Sequence, residues 1–221
     1  MPSCRPATLA LLLASTVLFG CATDRSELKL ADPTADATPA AASNGRTVVI
    51  RSVTDQRVFE QAPKKPNIPS LGFEGAAQAT AEVKARAIGR KRNSFGAALG
   101  DILLENGKTV VGVVRENLAV ALRQAGYRVT SDVADGGTSP VVMDVTVKEF
   151  WAWMNPGFWA LTLSTRITTD LAIQGAAAPT SINVLAQDSR QAAFESAWIE
   201  VLDRALLQYR AEIKAKAATL P

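Results

Sequence analysis

The sequence predicts a two-layer α/β (α+β) domain, with helices packed on one face of a mixed or largely antiparallel sheet. Three observations predict it. A long stretch near 141–173 alternates apolar and polar residues around a turn, as a half-buried hairpin does. Two other stretches, near 111–125 and 199–213, repeat apolar residues at spacings of three and four, as amphipathic helices do. A β-branched run at 46–53 supplies a further strand. A helix has one apolar stripe and a hairpin strand one apolar face, so burying them against each other gives two layers. The periodic helices argue against an all-β sandwich.

Taken in order, the first element is a signal. Arg5 precedes an uncharged apolar run from Ala7 to Phe19. As a helix that run spans about 20 Å, short of the roughly 30 Å hydrocarbon core, so it fits a signal-peptide h-region over residues 1–20. Leu18-Phe19-Gly20-Cys21 resembles the bacterial lipobox. That resemblance implies cleavage before Cys21, diacylglycerol on its thiol and acylation of the new amine. Ala22 stands where inner-membrane retention signals commonly carry aspartate, which points by resemblance to the outer membrane.

Residues 21–45 are rich in Ala, Thr, Asp and Pro and are expected to be a flexible tether that lets the body stand off from the lipid. Leu28-Lys29-Leu30 is a candidate short edge strand within it. A single domain is expected over 46–221, opening on a strand centred on Val48-Val49-Ile50. After Asp55-Gln56-Arg57, an irregular proline- and glycine-containing loop covers 61–75, with Phe59, Ile68, Leu71 and Phe73 available to pin it. A helix is expected over Ala76 to Ile88, leading into a basic turn, Gly89-Arg90-Lys91-Arg92. With Lys84 and Arg86 this makes a basic segment. A solvated surface, a contact for anionic head groups and a site for an acidic partner are all open readings of it.

The next helix is capped at its start by Thr109 and buries Val111, Val114, Leu118, Leu122 and Ala125, with Gly126 at C′. A short strand begins at Tyr127. Val141, Met143, Val145 and Val147 line one face of the hairpin's first arm, and Asn155-Pro156-Gly157 forms its turn. The second arm carries Trp159, Leu161, Leu163, Thr165, Ile167, Thr169, Leu171 and Ile173 on one face. A strand over Ile182 to Arg190 follows. The closing helix, with Ser196 as its expected cap, buries Ile199, Leu202, Leu206, Tyr209 and Ile213.

Composition narrows the chemistry. The chain has no histidine and two cysteines, of which Cys4 leaves with the signal and Cys21 is taken by lipid. No disulfide, thiol nucleophile, histidine base or histidine metal ligand is then available. No catalytic residue, metal ligand or cofactor is assigned. The formal charge of +3 falls to +2 once Arg5 is removed, so the surface is nearly neutral. Export also argues against a nucleic-acid partner.

Two groups of residues are candidate binding sites. Asp55, Gln56 and Arg57 follow a strand and serve either as an internal loop anchor or as an anion-binding edge. Trp151, Trp153, Phe158 and Trp159 flank one turn, which puts three of the four tryptophans within nine residues. They pack beneath the terminal helix or the 61–75 loop, form a docking patch, since indoles anchor interfaces, or dip into lipid or bind glycan.

The lipobox at Cys21, the Val48-to-Val53 strand, Asp55-Gln56-Arg57, the helix through Leu118 and Leu122 to Ala125-Gly126-Tyr127, and the hairpin with its terminal helix resemble the YajG-type bacterial envelope lipoproteins. The resemblance covers most of the mature chain and implies no enzyme chemistry, cofactor or ligand. The expectation is a non-enzymatic outer-membrane lipoprotein, its body facing the periplasm. It would hold the membrane through Cys21 and support or dock on an envelope protein complex. The alternative is a periplasmic binding module that takes a lipid or glycan in an aromatic-lined groove.

Overall fold

The structure is a computed structural model that describes residues 24–33, 42–73, 75–93, 95–218 and 220. The signal at 1–20 and Cys21 lie outside them. The chain forms β1 (Ser26–Leu28), β2 (Thr47–Asp55), α1 (Ala81–Arg86), β3 (Ala87–Arg92), β4 (Ala98–Leu104), α2 (Val110–Gln124), β5 (Arg128–Thr130), β6 (Val141–Pro156), β7 (Leu161–Ile173), β8 (Thr180–Arg190) and α3 (Glu195–Ala217). The fold is mixed α/β, as the periodicities predict.

The sixteen-residue β6 is the spine of the sheet. Along one edge it pairs antiparallel with β7, which pairs antiparallel with β8. Its other edge is shared. β2 runs parallel to the first half, from Val141 to Val147, and β3 meets the second half where Gly89 pairs with Ala152. β5 flanks β2, whereas β4 and then β1 extend outward from β3. Both long helices lie on one face, α2 over β2 and β5 and α3 over β7 and β8. Val48, Ile50, Leu118, Leu122, Ile167, Leu202, Leu206 and Tyr209 are buried between the layers. Burial pushes the Tyr209 phenol above its ordinary pKa, and its hydroxyl bonds Thr169 at 3.0 Å.

The α2 signals hold. Thr109 accepts from Gly112 N, and the helix ends in a Schellman motif, with Gly126 N bonded to Arg123 O and Tyr127 N to Leu122 O. Gly126 has φ +90°, and a Cβ there would meet Ala42 O at 2.6 Å, so both backbone and space require glycine. Ser196, however, is not the cap of α3. Phe194 holds that position with no side-chain bond, and exposed Ser196 lies in the first turn.

Two further expectations are corrected. The helix expected over Ala76 to Ile88 survives only as α1, and the basic segment continues as strand β3. Tertiary pairing with β4, a strand the sequence reading missed, overrides helix propensity there. Gly89 is the junction, since a Cβ would meet Ala152 O at 2.8 Å. The second correction concerns the tether. Residues 24–33 belong to the body, with Leu28 and Leu30 buried and β1 paired parallel to β4. Arg25 bonds the fully buried Asp101, and Glu27 pairs with Arg86. The domain therefore begins some twenty residues before the expected boundary at 46.

A β-bulge decides how the sheet's faces are used. Between Val147 and Glu149, β6 advances two residues while β7 advances one. Before the bulge the odd positions, Val141 to Val147, face the helices. After it the even positions, Phe150, Ala152 and Met154, do so. Trp151 and Trp153 are thereby sent to the opposite face, where Leu71, Ala87 and Leu103 join them in a second small core.

Candidate functional site

Asp55, Gln56 and Arg57 sit where β2 leaves β6 and before β3 joins it. Gln56 N still bonds Val147 O, and its side chain accepts from Lys148 Nζ at 2.8 Å. The Arg57 side chain is fully buried. It donates to Ala87 O, Phe150 O and Lys84 O and forms a two-point pair with Asp55. Phe150 O lies on β6 between its last pair with β2 at Val147 and its pair with β3 at Ala152, so Arg57 fills that gap and ties it to α1 and β3, as the anchoring alternative has it. The guanidinium has no open side for an anionic ligand.

The four hairpin aromatics divide. Trp151 and Trp153 are 1% and 5% exposed and lie under the 59–83 segment. Trp151 meets Phe59 edge-on at 6.1 Å and donates Nε1 to Pro66 O at 3.1 Å. Of the expected loop pins, Leu71 is buried, Phe59 and Ile68 are half-buried, and Phe73 is exposed. By contrast, Phe158 and Trp159 at the turn are 90% and 82% exposed and touch edge-to-face at 4.8 Å.

The register gathers two more aromatics at this end. Arg92 pairs with Ala98, Pro156 with Leu161 and Leu161 with Arg190. Because β3 and β6 run parallel, the β3–β4 turn, the β6–β7 turn and the exit from β8 share one end of the sheet. Phe95 in the first and Phe194 after the third are 95% and 73% exposed. Sequence reasoning missed both. The available signal was a large aromatic in each of three turns, where polar residues are usual.

Cations ring the same end. Lys64 and Lys65 are exposed on the loop held by the bond from Arg92 to Pro63 O. Arg92 also donates to Gly96 O but forms no ion pair with a carboxylate among the described residues. Burial, with Arg90 beside it, pulls its pKa down. Arg90 itself is partnered by Leu99 O and Asp101. Lys91 reaches Asp24 O at 3.3 Å. Exposed Asp24 and Glu195 are the acidic neighbours. Behind the rim lies a cavity of about 300 Å³, lined by Leu28, Leu99, Ile102, Met154 and Trp198, with Lys91 and Arg92 on its wall. Neither Trp151 nor Trp153 lines it.

No group of three or more metal-ligating side chains occurs among the described residues, and no described helix is long and apolar enough to cross a membrane. Among the described residues, then, the chain is an α/β body with exposed aromatics and cations gathered at one end of its sheet. No protein-family model matches the chain, and no curated protein matches it. Among solved structures it is similar to one titled "Crystal structure of uncharacterized protein". That similarity has 13% identity and a TM-score of 0.46, covering 88% of this chain and 98% of the other.

Proposed function

We propose that this chain is a non-enzymatic bacterial lipoprotein of the YajG type, anchored through acyl chains on Cys21 to the periplasmic leaflet of the outer membrane. Its body supports or docks on an envelope complex. The observation that carries the reading is the aromatic end, where Phe95, Phe158, Trp159 and Phe194 stand in water. Exposed aromatics gathered from separate turns form a surface suited to burial against another component. The absence of histidine and of a spare thiol from the mature sequence favours contact over chemistry. The cavity behind the rim favours a second reading, a binding module for a lipid or glycan.

Photocrosslinking in cells from positions 95 and 159 of the full chain, with Asn183 on the open sheet face as control, tests the contact surface. Adducts to one reproducible envelope component, protein or lipid, from 95 and 159, and none from 183, are expected. Equal adducts from all three positions, or none, overturn the reading. Anchoring is read separately, by alkyne fatty-acid labelling that Cys21→Ala abolishes.

A further inference from the structure

We infer that the aromatic end rests on the phospholipid leaflet that receives the acyl chains of Cys21, with Phe95, Phe158 and Trp159 at the headgroup–acyl boundary and Arg92 beside lipid phosphate. This inference rests on the lipoprotein reading above and names what the aromatic end meets.

The first observation is reach. Cys21 precedes Asp24 by three residues, so their Cα atoms lie at most about 11 Å apart. The next residues are already fixed, with Arg25 bonded to Asp101 and Ser26 paired with Ile102. β1 runs parallel to β4, so the chain traced back from Ser26 heads toward the Ala98 end of β4, beside the Phe95 turn. A lipid on Cys21 thus enters the bilayer next to the aromatic end. With the expected long tether replaced by three residues, the body cannot stand far off.

The second observation is residue type. Tryptophan and other aromatics with a polar edge settle at the headgroup level of bilayers. Trp159 is exposed, whereas Trp151, Trp153 and Trp198 are 5% exposed or less. The third is charge. Arg92 has no carboxylate partner among the described residues, and Lys64, Lys65 and Lys91 lie around it. Lipid phosphate supplies the missing anion, and basic residues near an anionic leaflet are drawn to it.

The test uses purified, lipidated full-length protein in vesicles of phosphatidylethanolamine and phosphatidylglycerol. These are doped with phosphatidylcholine brominated either near the headgroup or at the chain ends. Flotation and the alkyne label report the anchor independently. Headgroup-proximal bromine should lower the Trp159 emission about twofold, and chain-end bromine much less, because the indole sits at the interface. Trp159→Phe should remove the quenching, and Phe95→Ser with Phe158→Ser should weaken it, with thermal unfolding unchanged. A protein that is labelled and floats, yet emits equally in plain and brominated vesicles, overturns the inference and leaves anchoring intact. That is also the result if the end meets a protein or a second copy. A protein that neither labels nor floats overturns the anchoring reading, and the inference with it.

Discussion

Trp151 and Trp159 lie eight residues apart on one hairpin, yet the first is 1% exposed and the second 82%. Both belong to the same local cluster of aromatics, so local composition does not separate them. Cover does. The bulge at Lys148 turns Trp151 to the face away from the helices, and the 59–83 segment closes over it with Leu71, Phe59 and Val83. The hairpin continues past the reach of that segment, so its tip stays in water. Toward the lower half of the same outer face, Asp144 is partly exposed and Ala172, Ser181 and Asn183 are exposed. An aromatic cluster becomes core or contact surface according to which distant segment folds across it.

The largest expected effect falls on the covered side. Trp151→Ala removes a fully buried indole, its contact with Phe59 and its bond to Pro66 O. It should cost about 3–5 kcal/mol in reversible urea unfolding. A loss near zero would mean that the second core is not formed. Arg57→Ala comes next, since it leaves Asp55 and the carbonyls of Ala87, Phe150 and Lys84 without their buried donor. A loss of about 3 kcal/mol is expected. If binding of an anionic ligand were impaired while stability held, the anchoring role would be wrong.

The open half of the outer face should respond weakly. A pair with Arg51 and a 2.6 Å bond from Ser52 hold the Asp144 carboxyl down at about 2. A depressed pKa stabilises the folded state above the ordinary carboxylate range, near 3.8, and that contribution is lost as pH falls through about 2. The pair is largely in water, so it contributes no more than about 1 kcal/mol. Melting curves from pH 5 to pH 2, compared with Asp144→Asn, would read it; identical curves would remove it. The smallest effect belongs to the tip. Trp159→Ala should change stability by less than about 0.5 kcal/mol. A large loss would show that the tip is packed after all.

Much of the scaffold was legible in residue order. The alternation from Val141 to Val147, the stripe through Leu118 and Leu122, the Thr109 cap and the Gly126 terminus are local patterns, and each occurs where predicted. β3 and β4 were not legible. Ala87 to Arg92 combines helix formers with charges, and only pairing with β4 makes it a strand. Leu28 was legible in a short edge strand, as β1 is, but its place in the core was not, because its partners lie more than seventy residues away on β4. The site was half legible. The hairpin aromatics stood out by their density, but sequence did not divide buried from exposed, and Phe95 and Phe194 were not singled out.

By itself, then, the sequence determined the elements whose forces act within a turn or two: periodic burial, caps, the glycine that ends α2, and the lipobox resemblance that makes Cys21 a candidate anchor. Tertiary structure decided the rest. It set which face receives Trp151 and Trp153, that the body takes in residues 24–33, and that Phe95, Phe158, Trp159 and Phe194 share one end. The reason is physical. Register and cover join residues 95, 158 and 194 across three strand connections, and no periodicity along a single segment encodes contacts made between segments so far apart.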